Sequence, residues 1–380
     1  MTPRHAIFLT AFALCLPRPG RAEDSLAYKD EEYREGDGRV VVQTQSAAVT
    51  QDLGTDMTVK LTGTNDVIAG ATPTGIPAPN GSDQVPMTDL EDHRKAWSAD
   101  LTRQINRVSV DAGFAYSREH DYTSHAYSIN TVTDFNQKNT ELLLGAAVND
   151  DDVHVLIRGP AWRNKDGGNG IAGLTQIIDP NTTVTFDVTW GRSTGFNSDQ
   201  YKEVQKSIQI FGTIFLPETF AENRPNVRDT GSALFALNHA FPQWNAASDA
   251  SYRYYADTWG VAAHTVEVAW LQHVLPTVIL QPNVRYYQQQ AAKFYYYNLN
   301  DTDIIPVNVP TGTGVSYSSD YRLSELRTYS YGLKVIWTVR PWLELTAGFS
   351  KYDMQGTDGV TPQSAYPRAK ISTAGLKFIW

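Results

Sequence analysis

Residue types able to do chemistry are present in this chain, but their spacing assembles no catalytic set. Gly168-Asn-Gly170-Ile-Ala-Gly173 satisfies a G-x-G-x-x-G pattern. A dinucleotide site needs that loop between a buried strand and a helix whose N-terminus receives the pyrophosphate; here a polar stretch precedes it and no helical pattern follows, so the match reads as coincidence. The eight histidines (His5, His93, His120, His125, His154, His239, His264 and His273) are scattered, with no i,i+4 pair flanking a glutamate, and they give no metal signature. Asp150-Asp151-Asp152 would offer oxygen ligands to calcium in an outer loop. It lacks the interleaved glycine and distal glutamate of a dedicated site, and a solvated acidic loop is the simpler expectation. There is no Gly-x-Ser-x-Gly, although a hydrolase site drawn from separate strands would leave no local mark. No catalytic, cofactor-binding or metal-ligating residue is assigned.

The better candidates are charged and polar residues on the wet parity of alternating segments. Asp249, Glu267, Asn283 and Arg285 approach one another on three neighbouring predicted strands, with Arg253 one step along; Asp187, Asp111, Asp100 and Lys334 share the polar parity. Such a set either fills an interior with ion pairs or forms a constriction whose transverse field sorts solutes by charge.

Placing these residues on one face requires strands with two different environments, and the hydropathy pattern has that period. Val184, Phe186, Val188 and Trp190 alternate with Thr183, Thr185, Asp187 and Thr189. Tyr329, Tyr331, Leu333, Val335, Trp337 and Val339 alternate likewise with Ser330, Gly332, Lys334 and Thr338, with Ile336 the one breach. A soluble sandwich would also alternate, so length and aromatic placement must decide. The segments run to about ten residues or more, as a tilted bilayer-spanning strand requires, and soluble strands are about five or six. Tyrosine and tryptophan gather at segment ends, where interfacial girdles belong.

Connections alternate in length. Short turns fall at 339–342, 273–277, 240–246, 179–182, 134–139, 103–106 and 51–55; the long connections, near 67–90, 149–167, 193–229, 289–322 and 354–367, all lie on the other side. The expected fold is all-β, a single antiparallel up-and-down transmembrane β-barrel of about sixteen strands over residues 23–380, with both termini on the short-turn side. At the end of the chain Thr373, Gly375, Phe378 and Trp380 fit a polar-x-Gly-x-x-aromatic-x-aromatic signal, a strand edge ready to pair with the barrel-assembly machinery.

Composition agrees. At 380 residues, 41% apolar and 11% aromatic, the chain is too hydrophobic to be disordered. A mean hydropathy of -0.36, with no long apolar run beyond the N-terminus, excludes membrane helices. A net charge of -9 argues against nucleic acid as a partner. The basic start Met1–Arg4, the apolar stretch Ala6–Leu16 and the small residues Gly20 and Ala22 read as a signal peptide over residues 1–22, implying export to the outer membrane. The one cysteine, Cys15, lies inside that stretch and follows Leu14, not the small residue that a lipoprotein signal requires.

The chain also resembles an uncharacterised family of bacterial outer-membrane barrels catalogued as a domain of unknown function. The resemblance rests on Ser251-Tyr-Arg-Tyr-Tyr-Ala-Asp-Thr-Trp-Gly260 with His264-Thr-Val-Glu267, on Arg285-Tyr-Tyr287 with 291–295, on Tyr317-Ser-Ser-Asp-Tyr-Arg-Leu323, and on Gly173-Leu-Thr-Gln176 before Asp179-Pro180. It implies a fold and a location but no substrate.

The functional expectation is a porin-like or solute-uptake channel for a small polar solute, with outer-membrane lipid as surroundings and no cofactor. An outer-membrane hydrolase and a non-conducting surface-binding barrel are the alternatives. Tyr295-Tyr-Tyr297, Asn298, Asn300, Asp301 and Asp303 suit either sugar binding or fastening of their loop to the rim. Ile208, Ile210, Phe211, Ile214, Phe215 and Leu216 are too apolar for a solvated tip; that loop is expected to enter the lumen or lie across the mouth, and deleting 207–216 to raise conductance.

Overall fold

The computed structural model describes residues 24–156 and 159–380; the expected signal peptide, with Cys15, lies outside the described residues. Eighteen strands follow in chain order: β1 Ser25–Glu35, β2 Val41–Asp52, β3 Met57–Pro73, β4 Met87–Ile105, β5 Val108–Arg118, β6 Tyr122–Phe135, β7 Thr140–Val155, β8 Ala161–Asp179, β9 Thr182–Gly195, β10 Glu203–Phe211, β11 Ile214–Ala221, β12 Val227–Phe241, β13 Ala246–Asp257, β14 Ala262–Leu275, β15 Val278–Gln289, β16 Leu326–Arg340, β17 Leu343–Gly356 and β18 Arg368–Ile379. Sixteen of them form a closed antiparallel meander; β10 and β11 pair only with each other, as a hairpin inside the loop between β9 and β12. Pairing of β1 with β18, from Ser25 opposite Ile379 to Glu35 opposite Ala369, closes the ring.

Two different surroundings explain the period-two pattern. Phe186, Val188 and Trp190 are exposed on the outer face of β9, and their register partners on β12, Phe235 among them, point the same way. The residues between them face the lumen. Turn chemistry sits at the seven short connections. Asn106 adopts φ 54° and Asn245 φ 50°, left-handed geometry that asparagine tolerates, and the Asp179 carboxylate accepts the Asn181 amide at 2.8 Å.

All seven expected turns occur, whereas two of the expected long connections are much shortened. β7 continues to Val155 and β8 begins at Ala161, so 149–167 is mostly paired strand; β3 and β4 likewise reduce 67–90 to 74–86. Backbone pairing continues past the apolar band because it needs partners and not hydrocarbon, so the loss of the apolar signal does not mark the end of the strand. The acidic run therefore lies in β7 and not in a loop. Its pleat splits it: Asp151 turns inward to accept Ser124 Oγ at 2.6 Å and Asn149 Nδ2 at 2.8 Å, with Asp150 and Asp152 on the opposite face. The glycine motif lies within β8, where a Cβ on Gly170 would fall inside the Trp190 ring and one on Gly173 would meet the Asp187 carboxylate. Close packing against the neighbouring strand accounts for those glycines.

Gly70, near the outer end of β3, has φ +127°, and an added Cβ would stand 2.5 Å from the Arg39 carbonyl oxygen. Gly70→Ala should destabilise the folded barrel by about 1–3 kcal/mol. The check is the urea midpoint followed by heat-modifiable electrophoretic mobility; an unchanged midpoint would disprove the strain.

Candidate functional site

The outer mouth is spanned by its own loops. Loop 196–226, with β10 and β11, and loop 290–325 are joined through backbone bonds between Asn223 and Tyr317 in both directions, at 3.0 Å each, and by Leu299 donating to the Gln205 carbonyl at 2.9 Å. The Asn223 side chain uses its full capacity. Its oxygen accepts the Thr311 and Gly312 amides, and its nitrogen donates to the Thr313 and Val315 carbonyls. Val204, Leu299 and Tyr317 form a small dry core beside it.

The segment from Tyr317 to Ser324 is almost entirely buried. Leu323 packs with Trp259 of the β13–β14 turn and Ala292. Ser319 lies against Gly75, just beyond β3. In a ring of sixteen, β3 and β13 are eight places apart, so the segment crosses the mouth from one wall to the other.

Three cations and three carboxylates, with two residues of β3, hold this cap. Arg322 binds Asp199 at 2.7 Å and also Asp320; Arg224 binds Asp320 at 2.7 Å and Glu222 at 2.6 Å; Lys202 donates to Thr72 Oγ1 at 3.1 Å and to the Pro73 carbonyl. Burial works to raise the Asp199 and Asp320 carboxyls, but Arg322 overrides it and holds both below the usual range. Burial pushes Glu222 up to about 7, the adjoining Asp199 and Asp320 adding to the rise against the pull of Arg224. Burial, aided by the Arg322 charge, lowers Lys202 to about 8.

The wall meets the cap through one repeated device. Three inward tyrosines each donate to an acceptor two residues nearer the mouth: Tyr33 to Glu35 at 2.9 Å, Tyr255 to Asp257 at 2.8 Å and Tyr287 to Gln289 at 2.6 Å. Period two puts donor and acceptor on the same face. Each acceptor then holds part of the cap or rim. Gln289 donates to the Arg322 and Ser324 carbonyls; Glu35 binds Arg39, which reaches the Ser364 carbonyl; Asp257 binds Arg228.

Beneath the cap, the charged residues singled out in the sequence share the inner parity. Glu267 and Arg285 are register partners joined at 2.8 Å, and Arg285 lies 5.5 Å over the Tyr287 ring. Asp249 accepts from Asn238 at 2.6 Å and shares a row with Asn283 through Ala269. Arg253 and Asp187 flank Leu234 in another row. Lys334 stands apart, opposite Gln281 and Gly348. Strand order sets Arg285 of β15 across the lumen from β5, which carries Asp111. Asp111 itself accepts from Thr102 at 2.9 Å.

Other expectations resolve differently. The apolar tip is not packed against the barrel: Phe211 is 79% exposed and Phe215 57%, whereas the polar base of the same loop is buried. In a polar lumen, polar side chains find partners that apolar ones cannot. Tyr295 bonds Thr361, and Tyr297 accepts the Ala78 amide at 3.1 Å, so these tyrosines fasten loops together. At the rim, carboxylate oxygens of Asp92, Glu119 and Asp121 gather within 4.8 Å of one another, and Asp121 accepts from Gln200 at 2.6 Å and Tyr201 at 3.0 Å. A separate cavity of about 170 Å³ is lined by Arg163, Asn164, Asn197, Ser198, Asn226 and Thr311 among others. In the terminal strand, Phe378 faces outward and stacks on Trp342 at 7° between ring planes, the Trp380 amide donates to the Asp24 carbonyl at 3.0 Å, and Thr373 and Gly375 face inward.

Sequence reasoning did not find the cap residues. Asp320 and Arg322 lie in one of the stretches that carry the family resemblance, but Asp199, Lys202, Glu222 and Arg224 follow no period and no motif.

The family model described as "Protein of unknown function (DUF3570)" matches residues 19–376. No curated protein matches the sequence. Among solved structures, CdiB from Acinetobacter baumannii aligns with TM-score 0.51 at 8% identity over 94% of this chain and 60% of that one, so this chain spans less than two thirds of CdiB. A "Bacterial polysaccharide outer membrane secretin" aligns with TM-score 0.47 at 10% identity over 94% of this chain and 98% of that chain. The outer membrane protein opdK from Pseudomonas aeruginosa aligns with TM-score 0.42 at 8% identity over 95% and 99%. The CdiB likeness shows the fold alone, a barrel of the outer-membrane kind.

The raised Glu222 carboxyl gives the cap a pH dependence. Facing it are Arg224, Asp199, Asp320, Lys202 and Arg322. Between its ordinary 4.5 and about 7, the closed cap holds a proton that the released loop does not, so cap stability is fully present at the low end and falls as pH rises through about 7. Limited proteolysis of loop 196–226 should be slower at about pH 5.5 than at about pH 7.5, and Glu222→Gln should abolish the difference. A wild-type rate independent of pH would contradict the assignment.

Proposed function

The chain belongs to the family described as Protein of unknown function (DUF3570), and we propose that it forms a capped channel in the outer membrane that passes or captures a small polar solute. One observation carries this reading: the buried segment Tyr317–Ser324 crosses the mouth above a lumen of paired and unpaired charges, and it is held by hydrogen bonds and ion pairs that are exchangeable with water. A sixteen-strand ring encloses more space than its own side chains fill. Closure therefore falls to the loops, and a closure made of polar contacts opens at lower cost than an apolar core would. The solute meets the rim cavity beside Asn197 and Asn226, then the wall carrying Arg285, Glu267 and Arg253, with β5 and its Asp111 on the far side of the ring. The transverse field between them orients a zwitterionic or hydroxyl-rich solute. Solute capture without conduction is the second reading, and it rests on the rim cavity.

Planar-bilayer recording separates the two. The wild type should open rarely. Asn223→Ala, which leaves four backbone groups of loop 311–315 without that partner, and Arg322→Ala should each raise the open fraction at least about tenfold, the effect of about 1.4 kcal/mol lost from the closed state. Deleting 207–216 should leave conductance unchanged, because that tip is exposed. If both cap variants stay silent while folding normally, the channel reading fails and capture stands.

A further inference from the structure

The outer face carries cations where a lipid-facing wall should carry none without a partner. Along one row of the sheet Tyr331 stands opposite Lys351, Lys351 opposite Lys370, and Lys370 opposite Arg34. All four are exposed on the side that presents Leu333 and Phe349 to lipid. Like charges directly opposed on neighbouring strands repel. Arg34 is satisfied by Glu32 through two hydrogen bonds of 2.9 Å, and Arg368, in the next row, by Asp353 at 3.3 Å. Lys351 and Lys370 have no carboxylate within 4.0 Å among the described residues.

The same arrangement recurs elsewhere on the barrel. Lys95 of β4 stands opposite Arg118 of β5, both exposed, two residues outward of Trp97 and Tyr116. Lys351 likewise stands two residues outward of Phe349, itself 46% exposed. Each pair thus borders the aromatic band on the side of the long loops. That is the depth of lipid headgroups, where an unpaired cation meets phosphate.

We infer that Lys351 with Lys370, and Lys95 with Arg118, are binding sites for the phosphate groups of an acylated glycolipid in the outer leaflet, its chains lying on the apolar wall below. The inference rests on the membrane placement proposed above and is independent of conduction. Charge complementarity selects phosphate. The exposed sheet face on which the cations stand selects an anchored phosphate over a free one, since acyl chains supply the remaining contact. Two cations side by side suit a headgroup carrying two phosphates.

The test uses the folded full chain in detergent micelles, with diphosphoryl lipid A, its monophosphoryl form, phosphatidylglycerol and inorganic phosphate as probes. The readout is the temperature of the heat-modifiable transition. Diphosphoryl lipid A should raise it in the wild type. Lys351→Gln with Lys370→Gln should need about thirtyfold more lipid for the same rise at that site, and adding Lys95→Gln and Arg118→Gln should remove the response. Retained heat-modifiable mobility shows that the variants fold. No response in the wild type, an undiminished response in the fourfold variant, or an equal response to phosphatidylglycerol or inorganic phosphate would each overturn the assignment. A silent bilayer recording would leave it intact.

Discussion

Backbone pairing without an edge is the constraint on which this molecule depends. Within hydrocarbon no water is present to satisfy an exposed N–H or carbonyl, so a sheet can cross only if its last strand finds its first. Here eleven residue pairs join β1 to β18, and the Trp380 amide bonding the Asp24 carbonyl extends the seam to the chain end. The alternation of the strands, their tilt and the short turns at one end follow from that closure. So does the inward placement of Asp187, Arg253, Glu267 and Lys334, since each lies one residue from a side chain that must face lipid.

Closure solves the edge and creates a hole. The answer is polar: Asp199, Glu222 and Asp320 are buried against Lys202, Arg224 and Arg322, with Ser318 and backbone groups taking up further bonds. Taking charges out of water is expensive, and well-packed apolar side chains often do as well or better for stability alone. What ion pairs retain is exchangeability, because each group can return to water when the loops part. The tyrosine-acceptor pairs on the wall do the complementary task. By fixing the orientation of Glu35, Asp257 and Gln289 from below, they give the cap and rim rigid points of attachment.

The exposed hairpin tip shows where composition misleads. Ile210, Phe211, Ile214 and Phe215 suggest a plug by hydrophobicity, yet a plug must match its socket, and this socket is lined with hydroxyls, amides and charges. The buried positions therefore fall to the polar residues on either side of the tip.

Period, turn chemistry and connection length are local properties, and they suffice to read out the barrel, its strand count and its seven short turns. The sequence also carries the terminal strand that completes the ring. Strand ends were less legible above the membrane, where pairing persists after the apolar signal stops, as β7 and β8 do past Asn149 and before Gly167. The cap is a product of folding in three dimensions. Arg322 finds Asp199 across 123 positions and Arg224 finds Asp320 across 96. Contacts between loops that far apart follow from where the closed wall delivers their ends, which no spacing along the chain records.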